Sequence, residues 1–248
     1  MSPDRSSEAQ SEESLVDHLT ALRTCLIRSL GYIFLGFAAC WFFSEQLFDI
    51  IRAPIQPYLK SISGGLVFTA PMDKFMAHIK VSAFGGAILT SPGWIHQIWL
   101  FVAPALYKEE KKYAFSFLTF GTLLFLSGVS FAYFVVYPAA FSFLMNFGGA
   151  IDAPMITIGE YLSFFTTTTL VFGLAFEMPL IFTILGMMGL VTDDFLREKR
   201  RYAIVILAAV SALITPPDAI SMALMMIPMV GLYESSIFLV KIFGQKPY

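Results

Sequence analysis

Charge is the scarcest thing in this sequence. Only 14% of its 248 residues are Asp, Glu, Lys or Arg, where soluble domains carry about a quarter. With 57% hydrophobic residues and a mean hydropathy of +0.72, the chain reads as a polytopic membrane protein and not as a large soluble core. Its net charge of −2 offers no basic surface for a nucleic-acid partner. The two cysteines imply no disulfide framework, because Cys25 and Cys40 sit on one predicted helix, about 22 Å apart by helical rise. His18, His78 and His96 lack metal-ligand spacing, so no metal is expected. There is no P-loop and no G-x-S-x-G elbow, and no cofactor is expected. An apolar run before the first span is also missing, so no cleavable signal peptide is expected and residues 1–16 read as a disordered tail.

What is present is apolar sequence in long blocks. Six segments emerge, roughly Leu22–Phe43, Phe75–Val102, Tyr113–Phe147, Tyr161–Gly189, Tyr202–Thr215 and Ala219–Val240. The expected fold is therefore an all-α membrane protein, with a six-helix transmembrane domain over 17–243 and a short tail at 244–248. The last two spans are short: between Arg201 and Pro217 there is only about 22 Å of helix for a ~30 Å hydrocarbon layer. The turn TPPDA then reverses the chain. A re-entrant hairpin sealed in the bundle is the alternative, leaving four full spans. Within the polar loop Ser44–Lys74, EQLFDIIRAPI has an amphipathic helical pattern suited to the membrane surface. Of the 16 Lys and Arg, all except Arg52, Lys60, Lys74 and Lys80 fall on the side of the N-terminus. That asymmetry places both termini in the cytoplasm. Arg197–Arg201 reads as a solvated anchor near anionic lipid.

Glu177 stands out. It is the one acid or base between Tyr161 and Val191 apart from Tyr161 itself, and a carboxylate at membrane depth costs at least ~2.5–3.5 kcal/mol on insertion scales. It needs a partner, a wet cavity or a proton. Pro179, two residues on, cannot donate to the carbonyl of Ala175 and so opens the backbone beside it. Gly173, one turn earlier, permits close approach of another helix. The reading is a polar docking point inside a helix bundle. The run Thr166–Thr169 can bond across helices or back onto its own helix.

The loop FVAPALYKEEKK, Phe101–Lys112, places Glu109 and Glu110 among three lysines on the cytoplasmic side. Arginine forks match carboxylate oxygens two-to-two, so an acidic pair there suits guanidinium groups. With this loop stand DHLTALRTCLIRSL, FAYFVVYPAAFSFL, YLSFF with FGLAFEMPL, DDFLREKRRY, LITPPDAIS and IPMVGLYE, in that order from Asp17 to Phe238. Together they resemble the TatC family, the receptor subunit of the twin-arginine protein translocase. The resemblance implies a concave, glove-shaped bundle in the bacterial cytoplasmic (inner) membrane. It also implies a non-enzymatic role, recognising twin-arginine signal peptides of folded cargo. Glu110 matches the family's signal-binding glutamate, with Glu109 beside it; Arg23, Leu26 and Phe101 match other positions implicated in signal recognition. Pro54 matches a proline of the first periplasmic loop, Glu177 the intramembrane acid, and Asp218 the acid after the paired prolines. Thr215 falls where the family docks the single helices of TatB-like and TatA-like subunits, and a homo-oligomeric receptor complex is implied.

The chain departs from the pattern at three places. Ala21 stands where a second signal-binding glutamate is usual, Cys25 where a basic residue is common, and Met222 where a polar residue often accompanies the intramembrane acid. From another class, a proton-coupled small-molecule transporter with Glu177 as proton carrier is the rival reading. An intramembrane hydrolase is third, without a nucleophile–base pair placed at membrane depth.

Overall fold

The computed structural model describes residues 4–60, 65–102, 114–146, 155–215 and 219–244. They are almost entirely helical. In chain order the helices are α1 Asp4–Trp41, α2 Ser44–Arg52, α3 Gln56–Lys60, α4 Pro71–Leu89, α5 Ser91–Val102, α6 Ala114–Phe131, α7 Tyr137–Asn146, α8 Ile158–Phe176, α9 Met178–Met187, α10 Asp193–Ile214 and α11 Ala219–Phe243. Among the described residues, four stretches are long and apolar enough to cross a membrane: Leu19–Trp41, Phe117–Met145, Ile158–Met187 and Ser221–Phe243. Helix α1 begins at Asp4, inside the stretch expected to be a disordered tail. No proline interrupts the chain from there to Trp41, and Glu, Ala, Gln and Leu are good helix formers.

Three of the sequence blocks are not single α-helices, and a proline accounts for each departure. Pro92 lacks the N–H that would continue the second block, and its ring excludes the carbonyl of Ile88, so α4 stops at Leu89 and α5 restarts at Ser91. Side chains add bonds around the break: the Thr90 hydroxyl donates to Gly86 O at 2.7 Å, beside the Thr90 N–H on the same carbonyl at 3.0 Å, and the Trp94 indole donates to Ala87 O at 2.8 Å. Before Pro138 the ladder widens to a π turn over Ala132–Val136, with the Tyr137 N–H reaching back to Ala132 O. Before Pro179, α8 ends at Phe176.

Helix α10 is longer than its apolar block, because DDFLREKRR is helical too. Thr192 caps it, its hydroxyl accepting from the Phe195 N–H at 3.2 Å, and Asp193 and Asp194 complement the helix dipole in the first turn. The turn feeding it reverses at Gly189, whose φ of 70° is left-handed.

The amphipathic segment becomes α2, which folds back onto the end of the bundle. Ile51, Ile55 and Leu59 are buried, with Leu47 and Phe48 packed on the same core. Two tyrosines bond the last carbonyls of α2. The Tyr133 hydroxyl donates to Ile50 O at 2.9 Å, which also takes the Ala53 N–H at 3.2 Å, and the Tyr161 hydroxyl donates to Ile51 O. A parallel bridge ties the following strand-like segment to the start of α8, through Val67 N–H to Ile156 O at 2.9 Å and Ile158 N–H to Val67 O at 2.8 Å. Asp73 fastens the entry to α4 by accepting from the N–H groups of Ala70 and Thr69 and from the Thr69 hydroxyl. Those bonds hold its carboxyl below the ordinary carboxylate range. Its contribution is therefore present at neutral pH and lost as pH falls through that lowered value.

The core beneath is aromatic. Tyr137 stacks on Phe165 at 4.5 Å between centroids, and Phe141, Phe164 and Tyr161 surround them. Helix α1 lies against α4 at its closest where glycine meets glycine. A Cβ on Gly36 would stand 2.5 Å from Gly86 O and 2.7 Å from the Thr90 methyl. Gly36→Ala should therefore destabilise the bundle by about 1–3 kcal/mol through overpacking, read as thermal unfolding in detergent. Gly31→Ala on the same helix meets nothing within 4 Å and should be neutral or slightly stabilising.

Candidate functional site

Glu177 occupies the gap between α8 and α9. Its N–H bonds Leu174 O at 3.1 Å, a tightened last turn, and its carbonyl accepts from Ile181 N–H at 2.9 Å, starting the next helix. The missing Pro179 donor therefore fixes the place of the break and with it the direction of the side chain. That side chain crosses to α6. A Cβ built on Gly121 would lie 3.4 Å from Glu177 Oε2, 3.3 Å from Trp99 Nε1 and 3.4 Å from Leu180. The absence of a side chain at 121 thus makes a niche shared by the carboxylate, the indole edge and an apolar wall. Oε1 of Glu177 is buried without a hydrogen-bond partner, as is Oγ1 of neighbouring Thr122. No cation among the described residues pairs with Glu177.

Two turns away along α8, the threonine run takes both of the courses open to it. Thr166 bonds back to Leu162 O at 2.7 Å. Thr169 crosses to the Tyr137 hydroxyl at 2.5 Å, and that hydroxyl also reaches Phe165 O at 2.6 Å. Thr168 Oγ1 and Ser82 Oγ are buried without partners. An apolar cavity of about 490 Å³ opens between α1, α2, α4, α6 and α8, with Cys40, Leu47, Ile51, Phe84, Val129 and Thr169 in its lining.

The other predicted site residues are dispersed. Arg23 and Leu26 are exposed on α1, three residues apart and so on one face. Phe101 is half-buried near the end of α5, and Pro54 half-buried in the turn between α2 and α3. Glu109, Glu110 and Asp218 lie outside the described residues. Thr215 is buried and its hydroxyl donates to Ser211 O at 2.9 Å; Met222 is half-buried on α11. Glu177, Thr215 and Met222, expected together as one polar site, stand on different elements: Glu177 precedes α9, Thr215 follows α10 and Met222 lies early in α11. Trp99, Gly121 and Thr122 are the neighbours that sequence reasoning missed; a glycine on a buried helix face was the one available signal.

The model of the family described as "Sec-independent protein translocase protein (TatC)" matches residues 17–228. A protein of that name from Desulforapulum autotrophicum is 37% identical over 242 residues, 97% of this chain and 88% of the relative. The Campylobacter jejuni protein of that name is 40% identical over 92% of this chain and 94% of its own length. Among solved structures, "Crystal Structure of Twin Arginine Translocase Receptor- TatC" superposes with a TM-score of 0.83 at 36% identity, covering 91% of this chain and 98% of that one. The same receptor solved in DDM gives 0.83 at 35% identity, over 92% and 100%.

An unpaired buried carboxylate contributes nothing to folding and opposes it. Glu177→Leu should leave thermal stability unchanged or raise it. A loss above about 2 kcal/mol would mean that the carboxylate makes a structural bond.

Proposed function

The chain belongs to the TatC family of Sec-independent protein translocases, multi-pass and non-enzymatic, and on that footing we propose that it is the receptor and core subunit of a twin-arginine translocase. In this reading six spans form a concave bundle in the bacterial cytoplasmic membrane, with both termini cytoplasmic. The two blocks beyond the four long apolar stretches, α4 with α5 and the apolar part of α10, complete the six. Twin-arginine signal peptides of folded cargo dock at the cytoplasmic face. TatB-like and TatA-like single-span subunits dock against the bundle, and several copies of the chain assemble in the receptor complex. What supports this most is likeness across nearly the whole chain, in sequence and in fold, to a solved twin-arginine translocase receptor.

The chemistry assigns parts to residues. Glu110, with Glu109 beside it, accepts the forked N–H groups of a signal arginine, a charge-assisted pair stronger than a neutral bond. Arg23, Leu26 and Phe101 complete the signal-binding set: two on the exposed face of α1, one near the end of α5. Glu177, Thr215 and Met222 form the intramembrane polar site at which partner helices dock. Pro54 shapes the turn between α2 and α3, and Asp218 follows the paired prolines at the α10–α11 turn; both serve the opposite face.

Glu110→Gln keeps the shape and removes the charge, so a twin-arginine peptide should bind about 1.5–3 kcal/mol more weakly, and parent binding should itself weaken with salt. Titration of the purified chain with that peptide and a twin-lysine control reads both. Equal binding by Glu110→Gln and the parent contradicts the assignment. Ala21 is exposed on α1, so Ala21→Glu should tighten binding if the usual second acid is a real deficit here.

A further inference from the structure

Where the charged part of α10 meets the end of α11, the two helices leave a cleft of about 350 Å³ lined by Arg197, Arg200, Glu234, Ile237, Phe238 and Lys241. Arg197 and Arg200 are one turn apart on α10, and Glu234, Phe238 and Lys241 follow at helical spacing on α11, so a stripe of each helix faces the other. The rest of the basic run is engaged elsewhere. Lys199 bonds Glu198 at 2.6 Å and lies over the Phe195 ring, and Arg201 covers the Tyr202 ring at 4.7 Å.

Inside the cleft the single acid is already satisfied. Arg200 meets both oxygens of Glu234, Nε at 2.7 Å and Nη2 at 2.8 Å, a fork that fixes the guanidinium. Arg197 has Asp193 at 3.5 Å, too long for a good hydrogen bond. Lys241 has no ion-pair partner among the described residues. Lys241 thus shares a small cleft with the neutralised Arg200–Glu234 pair and with Arg197, which Asp193 holds only loosely at 3.5 Å, so the cleft keeps a net positive charge that an entering anion balances. The floor is apolar. Ile237 is buried, while Phe238 and Ile242 are exposed next to the charges and continue along α11 into its apolar stretch.

We propose that this cleft holds the phosphate of an anionic lipid. The headgroup lies between Arg197 and Lys241, Arg200 is held ready at the side, and the acyl chains run down over Phe238 toward the apolar stretch of α11. A phosphate fits because it brings several acceptor oxygens on one negative charge, and basic clefts between membrane helices recognise such headgroups. The chains attached to it cover the apolar flank, which a free ion leaves bare. The site rests on the proposed topology only for the leaflet it samples.

The test uses the full chain in detergent, with native mass spectrometry counting retained phosphatidylglycerol, phosphatidylcholine or inorganic phosphate. The parent should retain phosphatidylglycerol in preference to phosphatidylcholine. Arg197→Gln with Lys241→Gln should lower phosphatidylglycerol affinity about 25-fold, roughly fivefold per cation removed, and leave phosphatidylcholine unchanged. Glu234→Gln removes the competing acid and should raise affinity, which decides the matter if the double variant does not fold. Equal retention of the two lipids by the parent, unchanged binding in the double variant, or no gain in Glu234→Gln would each overturn the proposal. Displacement of the lipid by millimolar inorganic phosphate would assign the cleft to a soluble anion and overturn the lipid site. Binding in detergent does not depend on orientation, so failure here leaves the translocase reading standing.

Discussion

In hydrocarbon a backbone N–H or C=O without a partner costs several kcal/mol, and that constraint shapes this molecule wherever a proline takes a donor out of a span. Pro92, Pro138 and Pro179 do so, and each is met differently. Near Pro92 one helix ends and the next begins, and a threonine hydroxyl and an indole add bonds to carbonyls of the last turn. Ahead of Pro138 the ladder itself shifts to π spacing. Before Pro179 the helix ends and restarts around Glu177. The same need draws Tyr133 and Tyr161 to the carbonyl end of α2. A short surface helix is thereby locked to the bundle at the end where α8 begins, and the fixed end holds the broken span in register.

Where the first two breaks are repaired, the third is left with a carboxylate in it. Glu177 sits against Gly121 and Trp99 with one oxygen buried and unpaired, although burying such a group costs at least about 2.5–3.5 kcal/mol. Close glycine contacts, such as Gly36 on Gly86, and the aromatic cluster around Tyr137 supply the stability that tolerates it. A site that weakens the fold while the surrounding packing compensates is the common signature of function rather than architecture. In the proposed receptor role, an unsatisfied group at membrane depth is a place where a partner's polar atom gains a bond. Such bonds average only ~0.6 kcal/mol, enough to choose where a helix docks and too little to hold the complex together.

How much of this the sequence disclosed varies residue by residue. The apolar blocks, the amphipathic α2 and the opening of the backbone at Pro179 were legible because each follows from local periodicity or from one missing donor. The π turn was not, since Pro138 announces a disturbance but not its form. Helix α10 reached into the charged segment that reads as a solvated anchor, because Thr192 and two aspartates cap it and Arg197 and Arg200 find carboxylates in the folded chain. The neighbours of Glu177 depend on which face of α6 meets α8, a tertiary fact that one glycine only hints at. The opposed cations of Arg197 and Lys241 emerged only once α10 and α11 were laid antiparallel.

The central claim is that Glu177 directs partner docking through a hydrogen bond, not through a cycling proton. Export of a twin-arginine reporter, with site-specific cross-links to the single-span partners, should be compared in Glu177→Gln and Glu177→Ala cells. Glutamine keeps a donor and an acceptor, so export and cross-links should be nearly preserved, whereas alanine should shift the cross-links and impair export while twin-arginine peptide binding survives. If glutamine abolishes export as completely as alanine with partner cross-links unchanged, the docking role is contradicted and Glu177 must act by exchanging a proton.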